Sequence, residues 1–162
     1  MASDSPIEAL SSDECRAYLA SSRIGRVAVS SGALPAIYTV LFALRNGRVV
    51  LRVAPKSRLH QALCQAVVAF SIDHLDEDAQ EGWSVLVQGI GEEVTDADLA
   101  DTDLADSLRS LPLPSWSDSP EGDRFVWIPL DLLSGTRVRW DKQSHPAPDD
   151  LAPDDLAVRG AQ

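Results

Sequence analysis

The segment from Arg48 to Gln65 constrains the fold most, because it changes from a strand pattern to a helix pattern within a few residues. Its first six residues, RVVLRV, alternate as expected of a half-buried β-strand, with Val49, Leu51 and Val53 facing the interior. Small and apolar residues then recur at the three- and four-residue spacing of a helix. The sequence therefore predicts a strand, a short turn and a helix in immediate succession.

The turn between this strand and this helix carries two cations and a hydroxyl group, at Lys56, Ser57 and Arg58. The first amides of a helix have no intrahelical partner and lie at the positive end of the helix dipole, so they favour an anion. Together with Arg52 near the end of the strand, these side chains could surround a phosphate group. The alternative is that Ser57 only caps the helix and that the cations lie in solvent.

Acidic and basic residues are segregated along the chain. The net charge is −11, which argues against nucleic-acid binding, since that requires a basic surface. Residues 15–72 nevertheless contain eight Lys or Arg residues and no Asp or Glu, whereas residues 73–106 contain twelve acidic residues and no Lys or Arg. A carboxylate-free segment in an acidic protein favours a small anionic ligand there. That segment includes the turn described above.

Strand patterns dominate the rest of the chain. Asn46-Gly47 predicts a tight hairpin turn. It follows a strand over 36–44, whose nearly continuous apolar sequence indicates burial on both faces. Further strands are expected over 24–30, 67–72, 83–91, 124–130 and 136–140. Gly89 and Gly91 indicate a bulge or a close backbone approach in the strand over 83–91. Six or seven strands joined mainly by hairpins predict a mainly antiparallel β fold, closed as a small barrel because closure removes exposed edges.

Two more helices and the chain termini complete the expected domain. Ser11 and Glu14 fit a capping box at the start of a helix that ends near Ser22. Asp96 is expected to cap a helix that extends to about Ser110. Residues 1–9, and residues 141–162 with their acidic, proline-rich composition, are expected to be disordered. This leaves one domain over residues 10–140.

Several classes of protein and site are disfavoured. No apolar run reaches the roughly 20 residues that span a bilayer, and the N-terminus lacks a signal-peptide pattern, so a cytoplasmic location is expected. Cys15 and Cys64 have no metal-binding spacing and are expected to be free thiols. The histidines at 60, 74 and 145 are scattered and predict neither a zinc site nor a catalytic triad. No catalytic residue can be assigned from the sequence.

Seven segments, taken together and in order, are similar to a known family. They are IGRVAV (24–29), PAIYTV (35–40), VVLR (49–52), SRL (57–59), VAFSID (68–73), GWSVLVQG (82–89) and GTRV (135–138). Over about residues 10–140 the chain resembles the pyridoxamine 5′-phosphate oxidase-like family of flavin-binding split barrels. Within that family it is similar to the short members of high-GC bacteria.

The resemblance implies a six-stranded antiparallel split β-barrel that forms a homodimer, with flavin mononucleotide (FMN) at the subunit interface. The phosphate would lie at the end of the third strand and the start of the helix, and the isoalloxazine along the second and third strands. The residues implied to bind the cofactor are Thr39, Val40, Arg52, Val53, Lys56, Ser57, Arg58 and, from the partner subunit, Trp83 and Gln88.

The chain departs from the family pattern at positions implied to contact the flavin. The usual Pro-Val-Asn-Tyr reads Thr39-Val40-Leu41-Phe42, so a side-chain amide is missing. Val53 replaces a Thr that would offer a hydroxyl to the phosphate or ribityl group. Each lost hydrogen bond weakens binding by about 1 kcal/mol.

Two classes of function follow from the resemblance and these departures. The first is a flavin-dependent oxidoreductase that acts on a small molecule by hydride transfer, in which the cofactor supplies the chemistry. The second is a binding protein without turnover, which holds a flavin, a deazaflavin or haem, or which has lost its cofactor. Haem would require an axial ligand, for which His60 and His74 are the candidates.

Overall fold

The computed structural model describes residues 6–113 and 123–140, which form nine β-strands and three α-helices. The strands are β1 (Ile7–Ala9), β2 (Ile24–Ser31), β3 (Leu34–Arg45), β4 (Arg48–Val53), β5 (Val67–Asp76), β6 (Glu81–Ile90), β7 (Glu92–Glu93), β8 (Arg124–Pro129) and β9 (Leu132–Arg139). The helices are α1 (Ser12–Ser21), α2 (Arg58–Leu63) and α3 (Thr102–Arg109), preceded by a 3₁₀ turn at Asp98–Ala100. None of the helices among the described residues is long and apolar enough to cross a bilayer.

The strands form one antiparallel sheet in the order β1-β9-β6-β5-β2-β3-β4-β8-β7. The six strands from β6 to β8 in this order curl until β6 meets β8. The two strands come close at Gly89 of β6 and Pro129 of β8, since a Cβ added to Gly89 would lie 3.3 Å from the Pro129 ring. The predicted mainly β fold with a six-stranded split barrel is therefore confirmed. Strands β1, β9 and β7 extend the sheet beyond the barrel.

The barrel interior is filled by alternate residues of the strands, with Phe42 and Phe70 in edge-to-face contact, their ring centroids 4.8 Å apart. Strand β4 contributes Val49, Leu51 and Val53 to this core, as predicted. Its other face is also buried, because Val50 belongs to a second apolar cluster that includes residues of α3 and β8. The prediction of a half-buried strand was therefore wrong for this position.

Strand β3 was expected to be buried on both faces, and this expectation was wrong. Ile37 is 70% exposed, and it lies on one surface of the sheet with other exposed apolar residues. Residues that pair across neighbouring strands lie on the same face of a sheet. Ala28 pairs with both Ile37 and Ala69. Gln88 pairs with both Ala69 and Leu132, so the surface is continuous. We call it the exposed apolar face; its large residues are Ile37, Val67, Ile90 and Leu132.

The local structures that short-range sequence patterns predicted are present in the fold. Asn46 and Gly47 both adopt positive φ, 49° and 68°, as the tight hairpin turn requires. Gly91 provides the close backbone approach that was expected at the end of β6. A Cβ there would lie 2.1 Å from the carbonyl oxygen of Leu63, and the Gly91 N–H donates to the Ala66 carbonyl at 2.9 Å. The end of α2 is thereby docked against the barrel.

The helix boundaries agree with prediction at the start of the chain and differ later. Ser11 and Glu14 form the predicted capping box of α1. Asp96 does not cap α3; Asp101 does, through its side chain, which accepts the N–H groups of Asp103 and Leu104. The chain first closes a separate turn in which the Thr95 N–H donates to Asp98. The expected helix therefore begins about one turn later.

The chain termini were expected to be disordered over residues 1–9 and 141–162. Ile7–Ala9 instead form β1, which pairs with β9 over residues 136–138, so the expectation was wrong there. Residues 1–5, 114–122 and 141–162 lie outside the described residues.

Candidate functional site

Five of the nine residues implied to bind a cofactor line one cavity of about 250 Å³. It lies between β3, β4 and the start of α2. The predicted residues that line it are Thr39, Val40, Arg52, Val53 and Ser57, and the others are Leu41, Ala54 and Leu59. The cavity therefore combines an apolar wall with a guanidinium and two hydroxyl groups.

The connection from β4 to α2 fixes the polar end of this cavity. Lys56 adopts a positive φ of 61°, which turns the chain sharply. Ser57 then caps α2, since its Oγ accepts the N–H of His60 at 3.1 Å. The capping interpretation of Ser57 is thus confirmed. Its hydroxyl hydrogen is not used by this bond, so Ser57 can still donate to a ligand in the cavity.

Arg52 is held in place by an acidic residue that the sequence analysis missed. Its Nε lies 2.7 Å from Oδ2 of Asp123, and its Nη1 donates to the carbonyl oxygen of Leu113 at 2.9 Å. The Asp123 side chain is only 1% exposed. Its second oxygen, Oδ1, is buried and has no hydrogen-bond partner among the described residues. Asp123 is 71 residues from Arg52, and no pattern in the sequence connects the two.

The structure does not bring the other predicted cations to this cavity. The side chain of Lys56 is exposed. Arg58 lines a separate cavity with residues of the β2–β3 turn, including Ser31 and Gly32. Among the described residues, Arg52 is thus the one charged side chain that lines the first cavity.

Other cations of the carboxylate-free segment also have partners from elsewhere in the chain. Arg26 forms an ion pair with Asp73, and the guanidinium carbon of Arg48 lies 4.2 Å from the ring centroid of Trp127. Part of the positive charge that the sequence concentrates in residues 15–72 is therefore compensated in the fold.

The remaining two predicted residues, Trp83 and Gln88, lie on β6, outside the cavity of Arg52. Trp83 stacks on Tyr18 with 4.0 Å between ring centroids, and both line a different cavity with Arg137. Arg137 donates to the Tyr18 hydroxyl at 3.3 Å. Gln88 lies within the exposed apolar face. Their contribution to a site on a partner subunit stays a prediction.

His60, Cys64 and Glu93 form a cluster whose potential ligand atoms lie within 4.8 Å of one another. The N–H of Lys56 donates to Nδ1 of His60 at 3.0 Å, so the proton of the neutral ring is on Nε2. In this tautomer, Nε2 has no lone pair for a metal or for haem iron. Burial and the neighbouring Glu93 carboxylate raise the pKa of the Cys64 thiol to about 11. Because Nε2 of His60 carries the proton, the arrangement disfavours His60 as a haem ligand.

Comparison with known proteins agrees with this fold. A family model described as pyridoxamine 5′-phosphate oxidase matches residues 11–137. An uncharacterised protein of Mycobacterium tuberculosis is 37% identical over 140 residues, which cover 83% of this chain and 88% of that protein.

Solved structures with similar folds include two FAD-binding proteins. An FAD-binding protein from Mycobacterium smegmatis has a TM-score of 0.67 and 30% identity, with 82% of this chain and 100% of that chain covered. An FAD-binding protein from Mesorhizobium loti has a TM-score of 0.60 and 20% identity, with 82% and 98% covered. Because the family model matches most of the chain, the protein belongs to the pyridoxamine 5′-phosphate oxidase family.

Proposed function

We propose that the protein binds a flavin nucleotide in the cavity between β3, β4 and α2. The observation that carries this proposal is that the Arg52 guanidinium and an apolar wall line the same cavity. A guanidinium suits the phosphate of the nucleotide, and Val40, Leu41 and Leu59 suit the flat faces of the isoalloxazine. FMN is the nucleotide that the family resemblance favours. The fold similarity to the FAD-binding protein of M. smegmatis supports a flavin in general.

We also propose that a second copy of the chain completes this site. The cavity of about 250 Å³ is smaller than the roughly 300–1,000 Å³ of most small-molecule sites. The exposed apolar face is a surface that a symmetric partner could cover. Gln88 lies on that face, between Ala69 and Leu132, which supports a contribution from β6 across the interface.

Hydride transfer to or from a small molecule is the chemistry that a flavin supplies when bound. We therefore propose a flavin-dependent oxidoreductase. The chain's own part is to bind and orient: Arg52 holds the phosphate, and the apolar wall keeps water from one face of the ring.

A flavin or deazaflavin binding protein without turnover is the second candidate. It is favoured by the composition of the cavity, whose lining contains no Asp, Glu, His or Cys among the described residues. A turnover assay of the loaded protein with small-molecule electron acceptors would separate the two candidates.

The binding proposal predicts that purified protein retains about one flavin per subunit after free flavin is removed. Affinity is measured by flavin fluorescence with riboflavin, FMN, FAD and a deazaflavin nucleotide. Arg52→Lys keeps a cation beside Asp123 but loses the planar fork. We expect this variant to bind the nucleotides about tenfold more weakly, the equivalent of roughly one hydrogen bond. Its affinity for riboflavin should be unchanged. Arg58→Lys is the matched control. Failure to retain any of these ligands, or equal losses in both variants, would contradict the proposal.

The dimer proposal predicts that a charge on the exposed apolar face dissociates the subunits. Ile37→Asp would place two carboxylates in one symmetric interface, so we expect the dissociation constant to rise at least about a hundredfold. Sedimentation velocity over a range of concentrations measures it. Leu34→Asp is the control, because Leu34 is on the same strand, is 71% exposed and alternates to the opposite face. A monomeric unsubstituted protein would refute the proposal.

A further inference from the structure

The charges around the cavity differ from those expected of a site for a doubly charged phosphate. Arg52 is the cation that lines the cavity, and its ion pair with Asp123 has no net formal charge. Among the described residues, the other side chains that line the cavity are uncharged. Arg58 lines a separate cavity, and Lys56 is exposed and is not among the residues that line this one.

The ion pair should remain formed when an anion binds. The Asp123 carboxylate is almost fully buried, and Arg52 is its charged partner at 2.7 Å. Moving Arg52 away would leave a buried, uncompensated negative charge, which is strongly unfavourable. Arg52 has five N–H donors, of which the bonds to Asp123 and Leu113 use two. A phosphate can therefore bind the remaining donors while the carboxylate of Asp123 stays close behind them.

We propose that Asp123 determines the charge of the phosphate that this cavity accepts, and that it disfavours a doubly charged monoester relative to a singly charged diester. The inference rests on the proposed function. A phosphate monoester, such as that of FMN, carries about −1.5 to −2 charges at pH 7. A phosphate diester carries one charge, and so does each of the two phosphates in the pyrophosphate of FAD. The extra negative charge is repelled by Asp123, which already balances the charge of Arg52, and no further cation among the described residues lines the cavity. Asp123 contacts Arg52 and so acts on specificity by positioning the guanidinium that would bind the phosphate.

The test compares FMN with its phosphate methyl ester, which carries one charge less and adds no adenine contacts. Riboflavin is the reference without a phosphate. At pH 7.5 and low ionic strength, we expect the unsubstituted protein to bind the methyl ester about tenfold more tightly than FMN, the size of one charge interaction partly screened by solvent. Equal affinities, or tighter binding of FMN, would overturn the inference without the need for any variant.

Asp123→Asn removes the charge and keeps the shape of the side chain. We expect FMN to gain about tenfold in affinity, the methyl ester to gain less, and riboflavin to change by less than about twofold. Asp73→Asn is the control, since Asp73 pairs with Arg26 away from the cavity. Thermal unfolding of each variant shows whether it is folded. If no flavin binds, riboflavin included, the proposed function fails. If flavins bind without this dependence on charge, the inference about Asp123 alone fails.

Discussion

Replacing Arg52 with methionine is expected to lower the free energy of unfolding by about 3 kcal/mol. Methionine keeps much of the apolar stem but leaves the Asp123 carboxylate buried without a charged partner. Removing one member of a buried ion pair costs about 3–5 kcal/mol, and the lower value is appropriate because the Arg52 side chain is 25% exposed. Urea unfolding followed by tryptophan fluorescence measures the change.

The double variant Arg52→Met/Asp123→Asn separates the lost partner from the lost packing. Neutralising the carboxylate removes the uncompensated charge, so we expect the double variant to recover more than half of the stability lost by Arg52→Met. A single variant that loses less than about 1 kcal/mol would mean that solvent reaches Asp123 and that the pair is a weak surface interaction.

Gly91→Ala is expected to destabilise the protein by about 3 kcal/mol, at the upper end of the range typical of overpacking substitutions. The new Cβ would lie 2.1 Å from the carbonyl oxygen of Leu63, and a backbone atom at the end of a helix cannot move aside as a side chain can. Because the hydrogen bonds of Gly91 also dock α2 on the barrel, we expect flavin affinity to fall as Ser57 shifts. Thermal unfolding and flavin titration measure the two effects.

Gly89→Ala is the matched control for this prediction. Its Cβ would approach the Pro129 ring at 3.3 Å, a contact that small side-chain movements relieve. We expect a loss below about 1 kcal/mol. Equal losses at the two glycines would indicate that the strand itself, and not the approach to Leu63, makes alanine unfavourable.

The sequence predicted the parts of the site that depend on neighbours along the chain. The Asn46-Gly47 turn sets the register of β3 against β4, and this register brings Thr39, Arg52 and Val53 into one cavity. Ser57 was correctly identified as the residue that opens α2. In each case the signal and its structural effect lie within a few residues, so a local pattern is sufficient.

The parts that were missed depend on contacts between distant segments. Apolar residues along β3 could not distinguish a strand buried on both faces from one with an exposed apolar face, because both have the same kinds of side chain. Asp123 could not be assigned to Arg52, since any of the many acidic residues could have been its partner. The direction of Arg58 depends on how the six-residue α2 docks on the barrel, which Gly91 and Leu63 decide.

The shape of the sheet's two ends bears on the proposed association of two copies of the protein. Among the described residues, the sheet ends in β1, with three residues, and in β7, with two. Sheet edges carry unpaired N–H and C=O groups that can recruit strands from other chains and start aggregation. With both edges so short, the described part of the sheet offers little template for strand addition. In the proposed dimer, the contact would then lie between side-chain surfaces, where the sequence can control which partner is accepted.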